Sequence, residues 1–203
     1  MPTYQGFDVL EIEPSAVVDR EFVHTRSIAR LDSRTGKLRA TDRSGVAVVK
    51  SGGFVWLMEG RTEIQVYRDF IAARKGALVP AWVPTWNRDL EMDTDLSAGN
   101  VNLSISKVGY TKFMFPTVAR RHVAFLLADG TKYYRKITAA SEGSSNEVLT
   151  LDSSISVLIP KGTMVSFLTL CRLAVDDPEL TWHNRDVAEA VLDFVELPRE
   201  VPA

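Results

Sequence analysis

The sequence predicts a mainly β fold, either a β-sandwich or an open barrel, with one amphipathic helix. Most of the 203 residues fall into short apolar or alternating runs separated by turn residues, which is typical of strands. Helical spacing of apolar residues is clear at residues 62–75. The length suits one large domain or two small ones, and a hydrophobic fraction of 45% indicates a globular chain.

The helix is predicted from its cap and its periodicity. Thr62 can act as the N-cap with Gln65 three residues later, and Gly76 closes the last turn. Between them, apolar residues recur at helical spacing: Ile64, Tyr67, Phe70 and Ile71. We expect one amphipathic helix over about residues 62–75.

Residues 77–86 mix β-favouring residues with prolines, which donate no ladder hydrogen bond and suit edges and bulges. This pattern predicts an irregular edge strand that packs on the helix and contains Trp82, Pro84 and Trp86. Two interpretations of the tryptophans stay open. They pack in the core, or one of them forms an exposed interaction surface.

Turn residues between apolar runs predict two hairpins. Residues 27–31 and 37–41 flank the turn at 32–36, and residues 122–127 and 131–137 flank Ala128-Asp129-Gly130. Further strands are predicted at residues 147–151, 164–173 and 188–197. The runs at 46–49 and 54–58 surround Gly52-Gly53, which favours a bulge or a sharp bend.

A polar, glycine-containing stretch at residues 93–102 marks the best internal boundary. It predicts a β lobe with the helix over residues 1–96 and a second β lobe over residues 97–203. The second lobe is expected to carry a long flexible hairpin loop at residues 139–146. Two arrangements of the last strands stay open, because they either remain in the second lobe or return to the first sheet.

Charge and hydropathy exclude two classes of partner. A net charge of −2 and a pI near 6.0 predict neither specific nucleic-acid binding nor binding to an anionic membrane, although Arg120-Arg121 leaves a local basic patch. No apolar stretch has membrane-spanning length. The first residues are acidic where a signal peptide is basic, so we expect synthesis in a cytoplasm.

No motif in the sequence predicts catalysis, a metal or a cofactor. His24, His122 and His183 lie far apart, and none has a second histidine at metal-ligand spacing. Cys171 sits in an apolar run and is predicted to be a small buried side chain. Nucleophile-elbow, phosphate-loop, dinucleotide-binding and zinc-protease patterns are missing from the sequence. We predict a protein that is not an enzyme and needs no cofactor.

One pattern of acidic residues is compatible with cation binding or with glycoside hydrolysis. Carboxylates that alternate along a strand lie on one face, where they can bind a hard cation or hydrolyse a glycoside. Four residues alternate in this way: Asp89, Glu91, Asp93 and Asp95. We favour a solvated strand face over a hydrolase, because no neighbouring residue supplies a raised-pKa acid or a positioned base.

Two separated parts of the chain carry packing motifs. The helix ends in Ala73-Arg74-Lys75-Gly76 and leads to Trp82-Val83-Pro84-Thr85-Trp86. Near the C-terminus, Cys171-Arg172-Leu173-Ala174-Val175-Asp176 is followed by Trp182 and then by Phe194-Val195-Glu196-Leu197-Pro198. Together these segments resemble tail-tip and baseplate proteins of long-tailed bacteriophages, and they are most similar to short distal tail proteins.

The resemblance implies a structural protein of the virion tail tip, present in the host cytoplasm during assembly. It implies a ring of identical copies, typically hexameric, that joins the tail tube protein to baseplate hub or receptor-binding proteins. We expect the loop at residues 97–101 or at 139–146 to help form the subunit interface. The candidate interface residues are Trp82, Trp86, Arg74, Pro84 and Trp182.

The alternative from a different class is a carbohydrate-binding β-sandwich. Such a module would use Trp82, Trp86 or Trp182 as a stacking platform for a sugar. It predicts a monomer with one exposed, planar aromatic groove, whereas the ring predicts self-association.

Overall fold

The computed structural model describes residues 1–17, 22–25, 28–32, 38–42 and 48–202. The fold is mainly β, as predicted. Within the described ranges the strands are β1 (Thr3–Tyr4), β2 (Phe7–Asp8), β3 (Ala16–Val17), β4 (Phe22–Thr25), β5 (Ile28–Asp32), β6 (Leu38–Asp42), β7 (Val48–Glu59), β8 (Ala81–Pro84), β9 (Asn102–Ser106), β10 (His122–Leu126), β11 (Lys132–Glu142), β12 (Asn146–Leu151), β13 (Met164–Leu173), β14 (Leu180–Trp182) and β15 (Val187–Glu196). The helices are α1 (Arg61–Arg74), α2 (Tyr110–Phe113) and a 3₁₀ turn at Val118–Arg120.

The chain divides into two compact units, which are described separately. Unit 1 holds residues 1–11, 82–170 and 199–203, and unit 2 holds residues 12–81 and 171–198. This division differs from the predicted lobes at 1–96 and 97–203, because each unit combines stretches that are distant in sequence. The polar stretch at residues 93–102 lies inside unit 1.

Unit 1 is built on antiparallel strands in the order β9, β12, β11, β10 and β13, with β8 also paired to β13. The long strand β11 pairs with β10 through residues 132–136 and with β12 through its second half. Its register shifts between Ile137 and Ala139. The hairpin predicted at residues 139–146 is present, but the predicted long loop is wrong, because pairing continues to Glu142 opposite Glu147.

The core of unit 1 is apolar and closely packed. Phe125, Ile137 and Val165 come from three strands and have no exposed surface, and the buried Tyr110 from α2 stacks on Phe167 with ring centroids 6.1 Å apart. Burial of each large side chain contributes roughly 1.5–3 kcal/mol relative to exposure, so this cluster dominates the stability of the unit.

Unit 2 is centred on β7, which pairs with β3 and β4 on one side and with β15 on the other. The last long strand therefore returns to the sheet formed by the first part of the chain. Opposite Asp193, β7 places two residues, Gly52 and Gly53, and the register shifts there. Gly53 has a φ of 81°, which glycine adopts readily. The predicted bulge is confirmed.

The helix α1 follows β7 in unit 2 and matches the predicted range within one residue at each end. Its first turn differs from the prediction, since the N-cap is Gly60 and no side chain caps it. Glu63 instead accepts a hydrogen bond of 2.9 Å from the backbone of Glu59. The apolar spacing buries Ile64, Tyr67 and Phe70, as predicted.

Aromatic side chains fill the interior of unit 2. Phe54 lies 6.0 Å from both Trp56 and Phe194, measured between ring centroids. The indole of Trp56 donates a hydrogen bond of 3.0 Å to the carbonyl of Ile12. This bond satisfies the single polar group of a fully buried tryptophan.

Candidate interaction surfaces

Trp82 lies in the core of unit 1. Its exposed fraction is 0%. The ring packs 5.4 Å from Tyr4 and 4.6 Å from His122, and its Nε1 donates to the Tyr4 carbonyl at 2.8 Å. The N-terminal segment covers it, since the backbone of Leu10 donates to the Trp82 carbonyl at 2.9 Å. Trp82 is therefore a core residue, which is the first of the two interpretations given above. Its assignment to a subunit interface is wrong.

Pro84 and Trp86 are also buried, so neither offers a contact surface. Trp86 is 8% exposed, and the Nζ of Lys132 lies 5.4 Å from its ring centroid. Its backbone adopts a φ of 54°, which is strained for a bulky side chain. Strand β8 contains Pro84 and pairs with β13, so it is not the free edge strand that the sequence predicts.

Arg74 is a buried residue of unit 2 that stabilises the end of α1. Its side chain is 1% exposed, and Nη1 donates a hydrogen bond of 2.6 Å to the carbonyl of Pro80. The guanidinium carbon also lies 5.1 Å from the ring centroid of Phe70. Arg74 therefore ties the end of α1 to the turn that follows it, and it is not available to a neighbouring subunit.

The end of α1 meets the segment after β13 at a tight corner. The Asp176 carboxylate accepts a hydrogen bond of 2.8 Å from the backbone of Ala77. Gly76 has a φ of 69°, and a Cβ at this position would lie 2.8 Å from Oδ1 of Asp176. Glycine is required here by both the left-handed backbone and the close carboxylate. The contact between Gly76 and Asp176 thus holds the end of α1 against the segment after β13 in unit 2.

Trp182 is the interface candidate that keeps an exposed surface, with 52% of its residue area accessible. It lies on β14, which pairs with β15 and has no other strand partner in the described part of the chain. Beside it, His183 contacts Glu189 through Nε2 and Oε2 at 2.8 Å. Trp182 can therefore contact a partner without any change in the fold.

A groove in unit 2 lies near β14 and β15, with a volume of about 400 Å³. We name it the acidic groove, because four carboxylates line it together with apolar side chains, which we call its floor. The floor includes Val175 and Val191, which are 47% and 52% exposed. The carboxylates belong to Asp177, Glu179, Glu189 and Asp193.

His122 is fully buried in unit 1. Its Nδ1 lies 2.9 Å from the hydroxyl of Tyr4, and no partner is found for Nε2 within the described residues. Burial, helped by the charges of Lys136 and Arg121 and opposed by Asp152, lowers the pKa of His122 to about 4. The ring is neutral near pH 7 and acts as a packing partner of Trp82.

Glu147 is a buried carboxylate that organises the segment before α2. Its Oε1 accepts hydrogen bonds from the backbones of Val108, Gly109 and Tyr110 at 3.0, 2.7 and 3.0 Å. Its Oε2 accepts a fourth from Thr111 at 2.6 Å. Burial raises the pKa of Glu147, but these hydrogen bonds outweigh burial and hold the pKa below its ordinary value.

The segment that Glu147 holds forms a second notable surface, which we name the basic tip and define as residues 107–121. Val108, Phe113 and Val118 are 50%, 69% and 40% exposed. The segment also contains four basic residues and no acidic one: Lys107, Lys112, Arg120 and Arg121. The segment therefore exposes apolar side chains beside basic ones.

Two of the four alternating carboxylates at residues 89–95 bind backbone N–H groups in unit 1. Asp89 accepts a hydrogen bond of 2.7 Å from the backbone of Phe167, and Asp95 accepts one of 2.7 Å from Lys161. Cys171 is buried, as predicted. Throughout the described ranges, no group of three or more His, Cys, Asp or Glu side chains is placed to hold a metal ion.

Comparison with models of known protein families finds no match, and a sequence search of curated proteins finds no relative. No helix of the described residues combines the length and apolar character needed to span a membrane.

Sequence reasoning missed three residues that shape these surfaces: Tyr4, Phe113 and Glu147. Phe113 had a detectable signal, since basic and apolar residues interleave at 107–121 without an acidic residue. Tyr4 and Glu147 had none. The partners of Tyr4 lie 78 and 118 residues away, and those of Glu147 lie 36–39 residues away.

Proposed function

We propose that the chain is a non-enzymatic structural protein of a bacteriophage tail tip. In this proposal it forms a ring with copies of itself, between the tail tube protein and hub or receptor-binding proteins. The observation that carries the proposal is the corner in unit 2, where Gly76 and Ala77 meet Asp176. Segments that resemble tail-tip proteins at residues 73–76 and 171–176 contact each other there.

Two further contacts support the same proposal. Residues 171–176 and 194–198 both resemble tail-tip proteins, and they are neighbours on paired strands, with Arg172 opposite Val195 and Leu173 opposite Phe194. Arg74, from the helix-end motif, braces the turn before β8 through Pro80. Three motif segments that are far apart in sequence therefore form one packed element, as expected of a shared structural module.

Exposed apolar side chains in both units favour assembly. In unit 1, Phe113 and Leu158 are 69% and 54% exposed, and in unit 2, Trp182 and Val191 are each 52% exposed. Burial of such groups against a partner is favourable at roughly 25 cal/mol per Å² of apolar area. A ring subunit needs contact surfaces of this kind and no active site.

Native mass and location in the particle test the proposal together. We expect purified protein to form closed rings, seen as a discrete mass by analytical ultracentrifugation and as annuli in negative-stain images. We also expect the chain in purified tails, with antibody label at the tip. A chain that is monomeric at every concentration and missing from purified tails would refute the proposal.

The exposure of Trp182 favours carbohydrate binding as a second candidate, because the other two tryptophans of that hypothesis are buried. A stacking platform at Trp182 predicts binding to a glycan array that Trp182→Ala abolishes. Phe113→Ala serves as the matched control, since it removes an exposed aromatic from unit 1. Equal glycan binding by both variants, or no binding by wild type, would exclude this candidate.

A further inference from the structure

The basic tip is an exposed surface that is built to be rigid. Four backbone N–H groups bind the Glu147 carboxylate, and the Tyr110 hydroxyl donates to the Arg120 carbonyl at 2.9 Å. Arg121 adds a hydrogen bond of 2.8 Å from its Nε to the carbonyl of Phe115. These bonds fix the segment before any partner arrives, so docking costs little conformational entropy.

Phe113 is the most exposed apolar side chain of this rigid segment. Its side chain projects into solvent at 69% exposure, with the Nζ of Lys112 5.1 Å from its ring centroid. An exposed phenylalanine suits an interface anchor, because aromatic side chains are enriched at protein interfaces. The adjacent Lys112 supplies a charge that a partner of opposite charge can match. Val108 and Val118 add apolar surface on the same segment.

The acidic groove of unit 2 has the complementary chemistry. Its floor offers Val175 and Val191 to an apolar side chain, and a volume of about 400 Å³ is sufficient for one aromatic ring. Residues 175–193 contain six acidic residues and one arginine. A basic, apolar segment therefore fits this groove better than an acidic or a purely polar one.

We propose that the basic tip of one copy docks in the acidic groove of a neighbouring copy. Phe113 packs between Val175 and Val191, and Lys112 lies against the carboxylates of Asp177 and Glu179. The contact joins two different surfaces, so it is heterologous and propagates from copy to copy until a ring closes. This inference rests on the proposed ring, and it identifies the two surfaces that build it.

Charge reversal is the first test. We expect Lys112→Glu to weaken self-association by more than about tenfold, since like charges across an interface cost several kcal/mol. Glu179→Lys should weaken it similarly, and a mixture of the two variants should associate again. The matched controls are Lys161→Glu and Glu91→Lys, which reverse exposed charges outside both surfaces. Circular dichroism checks that every variant remains folded.

Salt dependence separates electrostatic docking from apolar association. Wild-type assembly should weaken as ionic strength rises, because exposed charges are screened beyond about 8 Å at physiological salt. The double variant Lys112→Gln with Glu179→Gln should lose most of this dependence. An unchanged salt response in that variant would contradict the assignment of the two charges.

Crosslinking tests the contact directly, in free rings or in purified tails. Phe113→Cys and Val191→Cys are made in separate copies, and a short bifunctional thiol reagent is added to the mixture. We expect a covalent dimer from the mixture and none from either variant alone. Cys171 is 2% exposed and does not compete.

These experiments can disprove the docking contact without disproving the ring. Rings that form normally in Lys112→Glu, with no crosslink between positions 113 and 191, would overturn the docking proposal and leave the ring intact. A crosslink between either position and a different tail protein would assign that surface to another partner and also overturn it. Failure of wild type both to assemble and to enter tails would refute the proposed function.

Discussion

Two carboxylates, one in each unit, hold a backbone turn in place by accepting N–H hydrogen bonds. Glu147 in unit 1 is fully buried and accepts four such bonds. Asp176 in unit 2 is exposed, and its carboxylate accepts one hydrogen bond from the backbone of Ala77. The first supports the basic tip, and the second supports the corner at the end of α1.

The difference shows that burial and bond number, rather than charge alone, set the importance of a carboxylate. A buried carboxylate must find enough donors to replace water, so loss of its charge leaves several N–H groups without an acceptor. An exposed carboxylate regains water when its bond breaks. The two sites should therefore respond very differently to similar substitutions.

The largest effect is expected at Glu147. Glu147→Gln keeps the shape but places an amide N–H₂ against backbone donors, and we expect a loss of about 2–4 kcal/mol in the free energy of unfolding. Urea denaturation measures it. The matched control, Glu142→Gln, removes an exposed carboxylate paired with Lys107 on the same hairpin and should cost less than about 0.5 kcal/mol. Equal losses in both variants would contradict the comparison.

The pH dependence of Glu147 has a defined sign. Because its folded pKa lies below the ordinary value, the ionised group stabilises the fold above its unfolded pKa. This contribution is lost as the pH falls through the folded pKa. The melting temperature of wild type should fall more steeply over that acidic pH range than the melting temperature of Glu147→Gln. Parallel pH profiles would show that the carboxylate is not ionised in the folded protein.

A smaller effect is expected at Gly76. Gly76→Ala strains a backbone with a φ of 69° and displaces Asp176, for a loss of about 2–3 kcal/mol. Gly130→Ala is the matched control, because its φ is 84° but a Cβ would meet no atom within 4 Å. That variant should lose only about 1 kcal/mol. Similar losses at the two positions would show that the carboxylate at the corner has no effect.

The smallest effect is expected at Asp176 itself. Asp176→Ala removes one exposed hydrogen bond and should cost about 0.5–1 kcal/mol. In this background Gly76→Ala should cost less than it does in wild type, because the clash with Oδ1 is gone. A double-mutant cycle from urea denaturation gives the coupling free energy. Strict additivity would disprove the contact.

Local patterns predicted the elements of this fold well. The spacing of Ile64, Tyr67 and Phe70 located α1 within one residue at each end, and the apolar run at residues 164–173 coincides with β13. The pair Gly52-Gly53 predicted the bulge in β7. In each case the local sequence pattern indicates the element, so periodicity and turn chemistry are sufficient to predict it.

Non-local pairing explains most of the errors. Residues 139–142 are small and polar, as in a loop, yet they form strand because Glu147 to Thr150 pair with them. The sequence leaves Trp82 and Trp86 open between core packing and an exposed surface, and the partners that contact their rings are residues 4, 122 and 132. The sequence around each tryptophan does not indicate these distant partners. Trp182 stays exposed because it lies on the short strand β14.

Strand β13 has a consequence for synthesis on the ribosome. Its residues 164–170 belong to unit 1 and residues 171–173 to unit 2, and the chain passes between the units three more times. Unit 1 lacks a central strand until residue 170 has emerged, and unit 2 lacks β15 until residue 196 has emerged. Neither unit can therefore complete its sheet early in translation, and nascent chains shortened before β13 should be sensitive to protease.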